Sequence, residues 1–81
     1  MNVRVKLFAV ARERLNRDEL AVELTSGATI ADLKRIVASE FPALAPILPH
    51  ALWAVDAAYA TDNTTLTEKS EIALIPPVSG G

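Results

Sequence analysis

Residues 2–9 of this 81-residue chain alternate, with Val3, Val5 and Leu7 on one side and Arg4, Lys6 and Phe8 on the other. A period of two marks a half-buried strand, because successive side chains of extended backbone point to opposite faces. The alternation returns at Leu20-Ala21-Val22-Glu23-Leu24, after a short helical turn over Ala11–Leu15 and a polar connection at Asn16-Arg17-Asp18. Thr25-Ser26-Gly27 marks a turn, and Thr29 with Asp32 three residues on has the form of a capping box. Behind that cap Ile30, Leu33, Ile36 and Val37 take helical spacing while Asp32, Lys34 and Arg35 face away, which predicts an amphipathic helix. It stops at Phe41-Pro42, since a proline pushes the residue before it out of the helical region, and Pro46 and Pro49 keep the next stretch from forming a second long helix. Leu52-Trp53-Ala54-Val55 reads as a short strand followed by a hairpin, Asp62-Asn63 as a turn, and Glu71–Ile75 as the last strand. The predicted order is ββαβ(β)β.

These elements make an α+β fold: one main helix packed on one face of a mixed sheet of four to five strands. The core so formed would hold Val3, Val5, Leu7, Leu20, Val22, Leu24, Leu33, Ile36, Val37, Ile72 and Leu74. If Ile72 and Leu74 point at the helix, the pleat sends Ile75 to the open face, and the same alternation sends Phe8 there. Tyr59 joins them from the hairpin. A contiguous apolar group exposed on a small domain marks a binding surface unless a loop covers it. Trp53 and Val55 share a face, and Val55 is the more natural core residue of the two.

Composition narrows the chemistry. Eighty-one residues make one small domain, and 51% hydrophobic content is enough for it to fold. A net charge of −2 lacks the basic footprint of a nucleic-acid binder. No apolar run approaches the ~20 residues of a membrane span, and the alternating N-terminus is unlike a signal peptide, so a cytoplasmic protein is expected. The absence of cysteine removes disulfides, thiolate nucleophiles and thiolate metal sites together. His50 has no second histidine for a metal pair and receives no role, and no metal or bound cofactor is expected. With Gly27, Gly80 and Gly81 as its three glycines, the chain has no phosphate-cradling loop, so any nucleotide chemistry falls to a partner.

The end of the chain carries the candidate chemistry. After a domain spanning residues 1–75, residues 76–81 read Pro76-Pro77-Val78-Ser79-Gly80-Gly81. Two prolines stiffen the backbone into an extended stem, and two glycines without Cβ atoms make a tip thin enough for a slot that excludes side chains. From Pro76 the extended reach is about 20 Å at ~3.3 Å per residue. An unperturbed terminal carboxyl titrates at about 3.3–3.7 and is ionised at neutral pH, so it can attack an activated phosphate. The competing reading is a frayed, inert end.

Leu7-Phe8-Ala9 with Arg12-Glu13 downstream, the Thr29-to-Leu33 helix start, Ala54-Val55-Asp56, Glu71-Ile72-Ala73 and the Pro-Pro-Val-Ser-Gly-Gly end together resemble the ubiquitin-like β-grasp sulfur carriers. More narrowly they resemble the MoaD-type small subunits of molybdopterin synthase, over essentially the whole chain. The resemblance implies that an adenylating enzyme, related to ubiquitin-activating enzymes and using ATP, joins the Gly81 carboxylate to AMP. A sulfur donor protein then displaces AMP to leave a thiocarboxylate. It further implies that the small subunit donates this sulfur to cyclic pyranopterin monophosphate within the large subunit, which holds the catalytic residues of the sulfurtransferase. The small subunit is then no enzyme on its own, and the assembly is a heterotetramer of two small and two large subunits. Gly81 would carry the sulfur, Gly80, Ser79, Val78, Pro77 and Pro76 would form the inserted tail, and Phe8, Tyr59, Ile75 and Arg12 would meet the partner. Three positions depart from the family's habit: Asp56 where Asn is common, Lys69 where Gly is frequent, and Ile75 where an aromatic often stands. The first two touch hairpin geometry and the third trims the apolar patch.

Three alternatives remain open on the sequence. A thiamine-pathway sulfur carrier shares the fold and the Gly-Gly end but usually lacks the Pro-Pro-Val stem. A protein-conjugating modifier would join Gly81 to lysines. A plain interaction module would use the patch while the tail stays inert.

Overall fold

The computed structural model describes residues 1–77. Its elements are β1 (Asn2–Leu7), α1 (Ala9–Leu15), β2 (Glu19–Glu23), α2 (Ile30–Glu40), β3 (Leu52–Val55), β4 (Ala58–Tyr59) and β5 (Ile72–Ile75), with single 3-10 turns at Pro42–Leu44 and Leu48–His50. The five strands form one mixed sheet in the order β2-β1-β5-β3-β4. β1 and β5 run parallel, and the other neighbours are antiparallel. This is the β-grasp arrangement expected above, and it puts the last strand in the middle of the sheet.

The period-two runs do what their pattern dictates. Val3, Val5 and Leu7 of β1, Leu20 and Val22 of β2, and Ile72 and Leu74 of β5 are buried on one face. α2 lies across that face and contributes Ile30, Leu33 and Val37. Each fully buried aliphatic side chain contributes on the order of 1.5–3 kcal/mol relative to exposure. Ile36, expected in the core, is only half-buried. At ~100° per residue it sits about 90° around the helix from the centre of the Ile30–Leu33–Val37 stripe, on its flank. Trp53 resolves the other way: it is buried, and Val55 is half-buried beside it.

Both ends of α2 are fixed by local chemistry. The Asp32 carboxylate accepts the Thr29 backbone N–H at 2.9 Å and the Thr29 hydroxyl at 3.2 Å. The next free amides of the first turn are taken up by a loop, Ile30 N–H donating to the Thr64 carbonyl at 3.0 Å and Ala31 N–H to that of Asp62 at 3.1 Å. At the far end the Phe41 N–H still bonds to Val37, and Pro42 terminates the helix. α1 is longer than the predicted turn and starts at Ala9, two residues early. Arg14 donates to the Ala43 carbonyl at 3.4 Å and the Arg17 guanidinium sits 5.9 Å from the Phe41 ring centre, which ties α1 to the segment after α2.

Candidate functional site

β5 is the element that positions the site. β1 and β3 hold it on both sides, and it runs directly into Pro76, which is buried, and Pro77, which is exposed. Val78, Ser79, Gly80 and Gly81, named above as the tail and the reacting glycine, lie outside the described residues.

Around the end of β5 the open face of the sheet is apolar. The register pairs Leu52 with Ile75, Ala54 with Ala73, and Ala54 with Tyr59, so these five side chains share one face. Leu7 lies opposite Leu74, and Phe8, still extended at φ −131° and ψ 157°, therefore comes level with Ile75 on that same face. Phe8, Leu52 and Tyr59 are the large hydrophobic side chains that stay exposed, at 47%, 54% and 75%, while Ile75 is half-buried among them. The small Ala54 and Ala73 leave a flat floor between. Phe8, Tyr59 and Ile75, predicted to form one surface, are therefore brought together on one face, and among the described residues no loop lies over Phe8 or Tyr59. Leu52 was missed. Its signal was present in the alternation: once Trp53 is core, Leu52 must face the other way.

Two left-handed backbone segments hold the patch in shape. Asp56 (φ 51°) and Ala57 (φ 68°) form the two-residue turn between β3 and β4, both with positive φ as a type I′ turn requires. The Asp56 N–H donates to the Glu71 carbonyl at 2.8 Å and the Asp56 carboxylate accepts the Glu71 N–H at 2.9 Å, so the hairpin bearing Tyr59 is pinned to the start of β5. Ala9 (φ 50°) turns the chain out of β1 directly after Phe8 and into α1.

Charged groups border the patch. Lys6 is exposed on the open face and pairs in register with Ala73. Arg12 is exposed on α1, 3.9 Å from Asp18, and shares a small cleft with Phe8. No charged side chain is buried among the described residues, and no cluster of three or more His, Asp or Glu suited to a metal occurs there. His50 is exposed at the end of the second 3-10 turn. One carboxyl is clearly shifted: the Thr29 backbone N–H, helped by its hydroxyl and by Arg35, holds Asp32 below the ordinary aspartate range. It serves the helix cap, away from the patch. Among the described residues no helix is long and apolar enough to cross a membrane.

Comparison with known proteins agrees with this geometry. The sequence profile of the ThiS family matches residues 5–81. The molybdopterin synthase sulfur carrier subunit of Caenorhabditis briggsae is 36% identical over an alignment covering 100% of this chain and 99% of that protein. Among solved structures, SAMP1 from Haloferax volcanii superposes with a TM-score of 0.86 at 26% identity, over 100% of both chains. The small archaeal modifier protein 1 of Methanosarcina acetivorans superposes at 0.78 with 25% identity, over 99% of this chain and 96% of that one.

Proposed function

The chain belongs to the ThiS family, and from that premise we propose that it is the sulfur carrier subunit of a molybdopterin synthase, a donor of sulfur and no catalyst by itself. The observation that carries this reading is positional. The strand leading to Pro76-Pro77 and the Gly-Gly end emerges beside an exposed patch of Phe8, Leu52, Tyr59 and Ile75. A partner docked on the patch receives the tail at a fixed place, and the large synthase subunit and the adenylating enzyme are the two partners that must do so. Arg12 supplies a charged rim.

The chemistry proceeds at the terminal carboxyl. A free carboxylate is a poor acyl donor because oxide would have to leave. Attack by its oxygen on the α-phosphorus of ATP, bound by the adenylating enzyme, expels pyrophosphate and gives a glycyl adenylate. Sulfide-level sulfur supplied by a donor protein, as HS⁻, then adds to the acyl carbon and AMP departs, leaving the thiocarboxylate that the large subunit draws on to build the dithiolene from cyclic pyranopterin monophosphate. Pro76 and Pro77 direct the tail, and Gly80 and Gly81 keep it thin enough to reach the reacting centre.

Intact mass tests this reading. The chain co-expressed with its adenylating enzyme and sulfur donor should gain the mass of one oxygen-to-sulfur exchange, and Gly81→Val should abolish transfer while leaving folding unchanged. Normal transfer by Gly81→Val would sink it. The likeness to a small archaeal modifier protein supports a second reading, in which the same activated glycine is joined to lysines of other proteins. Isopeptide remnants of Gly81 on lysine side chains would identify that use.

A further inference from the structure

Among the described residues the sheet has two free edges, and they are unlike. β4 is two residues long, whereas β2 runs for five, with no strand on its outer side among the described residues. Ladder geometry decides which groups point outward. Leu7 N–H donates to the Asp18 carbonyl and Leu24 N–H to that of Met1, each at 2.8 Å, and the register between them pairs Val5 with Leu20 and Val3 with Val22. In an antiparallel pair every second residue exchanges both bonds with its partner. Leu20 and Val22 therefore bond to β1, while Glu19, Ala21 and Glu23 direct their N–H and C=O groups away from the sheet. None of these outward groups finds a backbone or side-chain partner among the described residues.

The side chains at this edge select what can add to it. On the open face stand Glu19, Ala21 and Glu23; Glu19 lies 3.7 Å from Arg4, and Glu23 has no ion-pair partner among the described residues. On the helix side a groove of about 530 Å³ opens between Glu23-Leu24 and Asp32, Arg35 and Ile36 of α2, with Ile36 only half-covered. A second copy is a poor occupant. Antiparallel pairing centred on Ala21 would set Glu19 against Glu23 of the other copy, like charges directly opposite, which destabilises a strand pair.

We propose that the outer edge of β2 is a docking site for an extended peptide strand of the pattern basic–apolar–small–apolar–basic. Its backbone bonds to the outward groups of Glu19, Ala21 and Glu23, its two basic residues face Glu19 and Glu23, and its apolar residues turn toward the groove beside Ile36. β1, β5 and β3 separate this edge from β4. A strand held here leaves Leu52, Tyr59 and Ile75 uncovered, so the chain can keep a second protein while its tail is inserted in the first.

The test is an amide and methyl NMR titration of the full chain with the capped peptide Lys-Val-Thr-Val-Lys, and with Glu-Val-Thr-Val-Glu as the control. Saturable shifts are expected at the amides of Glu19, Ala21 and Glu23 and at the Ile36 methyls, weakening as salt rises, with the acidic peptide bound at least about tenfold more weakly. Ala21→Pro removes an N–H that points outward and so costs no bond within the sheet; it should weaken binding of the basic peptide about tenfold or more. Glu23→Lys should also weaken it, and decides the matter if Ala21→Pro does not fold. Absence of saturable shifts, equal response to both peptides, or unchanged binding by a folded Ala21→Pro or Glu23→Lys chain would overturn the proposal.

Discussion

Replacing Leu52 by aspartate should separate the partner surface from the fold. Full burial of a leucine is worth roughly 1.5–3 kcal/mol. Leu52 is still 54% exposed in the free domain, so about half of that, roughly 1 kcal/mol, remains to be gained on docking. Leu52→Ala forfeits most of it, about a fivefold rise in Kd. Leu52→Asp adds the burial of a carboxylate against Ile75 with nothing to pair it; an uncompensated buried polar group costs roughly 1–3 kcal/mol and an ionised one more. The sum is about 3 kcal/mol or above, a loss of more than about a hundredfold. The free domain should lose no more than about 1 kcal/mol, from the poor strand propensity of aspartate. Titration calorimetry against the large synthase subunit reads the first effect. Denaturant unfolding followed by fluorescence of Trp53, the single and buried tryptophan, reads the second. A Leu52→Asp chain that unfolds like the native one and binds the large subunit within about twofold of it would refute the assignment of this face to the partner.

Two further outcomes follow from local backbone and charge. Ala57 occupies a left-handed conformation (φ 68°), which costs an L-residue with a Cβ roughly 1–2 kcal/mol; glycine escapes that cost but loses about 0.4–1 kcal/mol through its freer unfolded chain. Ala57→Gly should therefore stabilise the domain by about 0.5–1 kcal/mol, seen as a higher denaturant midpoint, and a lower midpoint would contradict the turn geometry. Asp32 is held below its ordinary range chiefly by the Thr29 backbone N–H, so its folded pKa lies under an unfolded value of about 3.9. Its stabilising effect is complete above that unfolded value and is lost as pH falls through the folded one. The stability gap between the native chain and Asp32→Asn should accordingly be constant near neutrality and close in acid, as midpoints measured from about pH 7 down to about pH 3 would report.

Much of this fold was legible because two periodicities were clean. Val3-Val5-Leu7 and Leu20-Val22 alternate without interruption, and Thr29 with Asp32 marks the start of α2. The open-face positions of Phe8 and Ile75 followed from the pleat, and that of Tyr59 from the hairpin after Val55. What escaped was burial in segments too short to show a period. Leu44, Ile47 and Leu48 reach the core from two 3-10 turns between prolines, and Leu66 from the loop that also supplies the carbonyls capping α2. In such stretches tertiary contacts, not local repeats, decide which side chain is inside. Leu52, though missed, was legible by alternation: Trp53 and Val55 share the core-facing side of β3, so the pleat sends Leu52 to the open face. The free edge of β2 was invisible because strand order is set by long-range pairing.

The use of a central strand as the root of the tail has a mechanical consequence. β5 places Ile72 and Leu74 in the core and Ala73 and Ile75 on the open face, and its two neighbours hold it along its length. Burial of Pro76 extends that anchorage one residue past the strand, and Pro77 after it is exposed. From Pro77 to the terminal glycine the chain can span at most about 16 Å at ~3.3 Å per residue. The patch of Phe8, Leu52, Tyr59 and Ile75 lies at that same point of departure. A partner seated on the patch therefore fixes the origin of the tail, and its reacting centre must lie within that reach of the docked surface. If the chain acts as the sulfur carrier proposed above, partner docking and delivery of the acyl group become one geometric event, set by a strand that β1 and β3 hold on both sides.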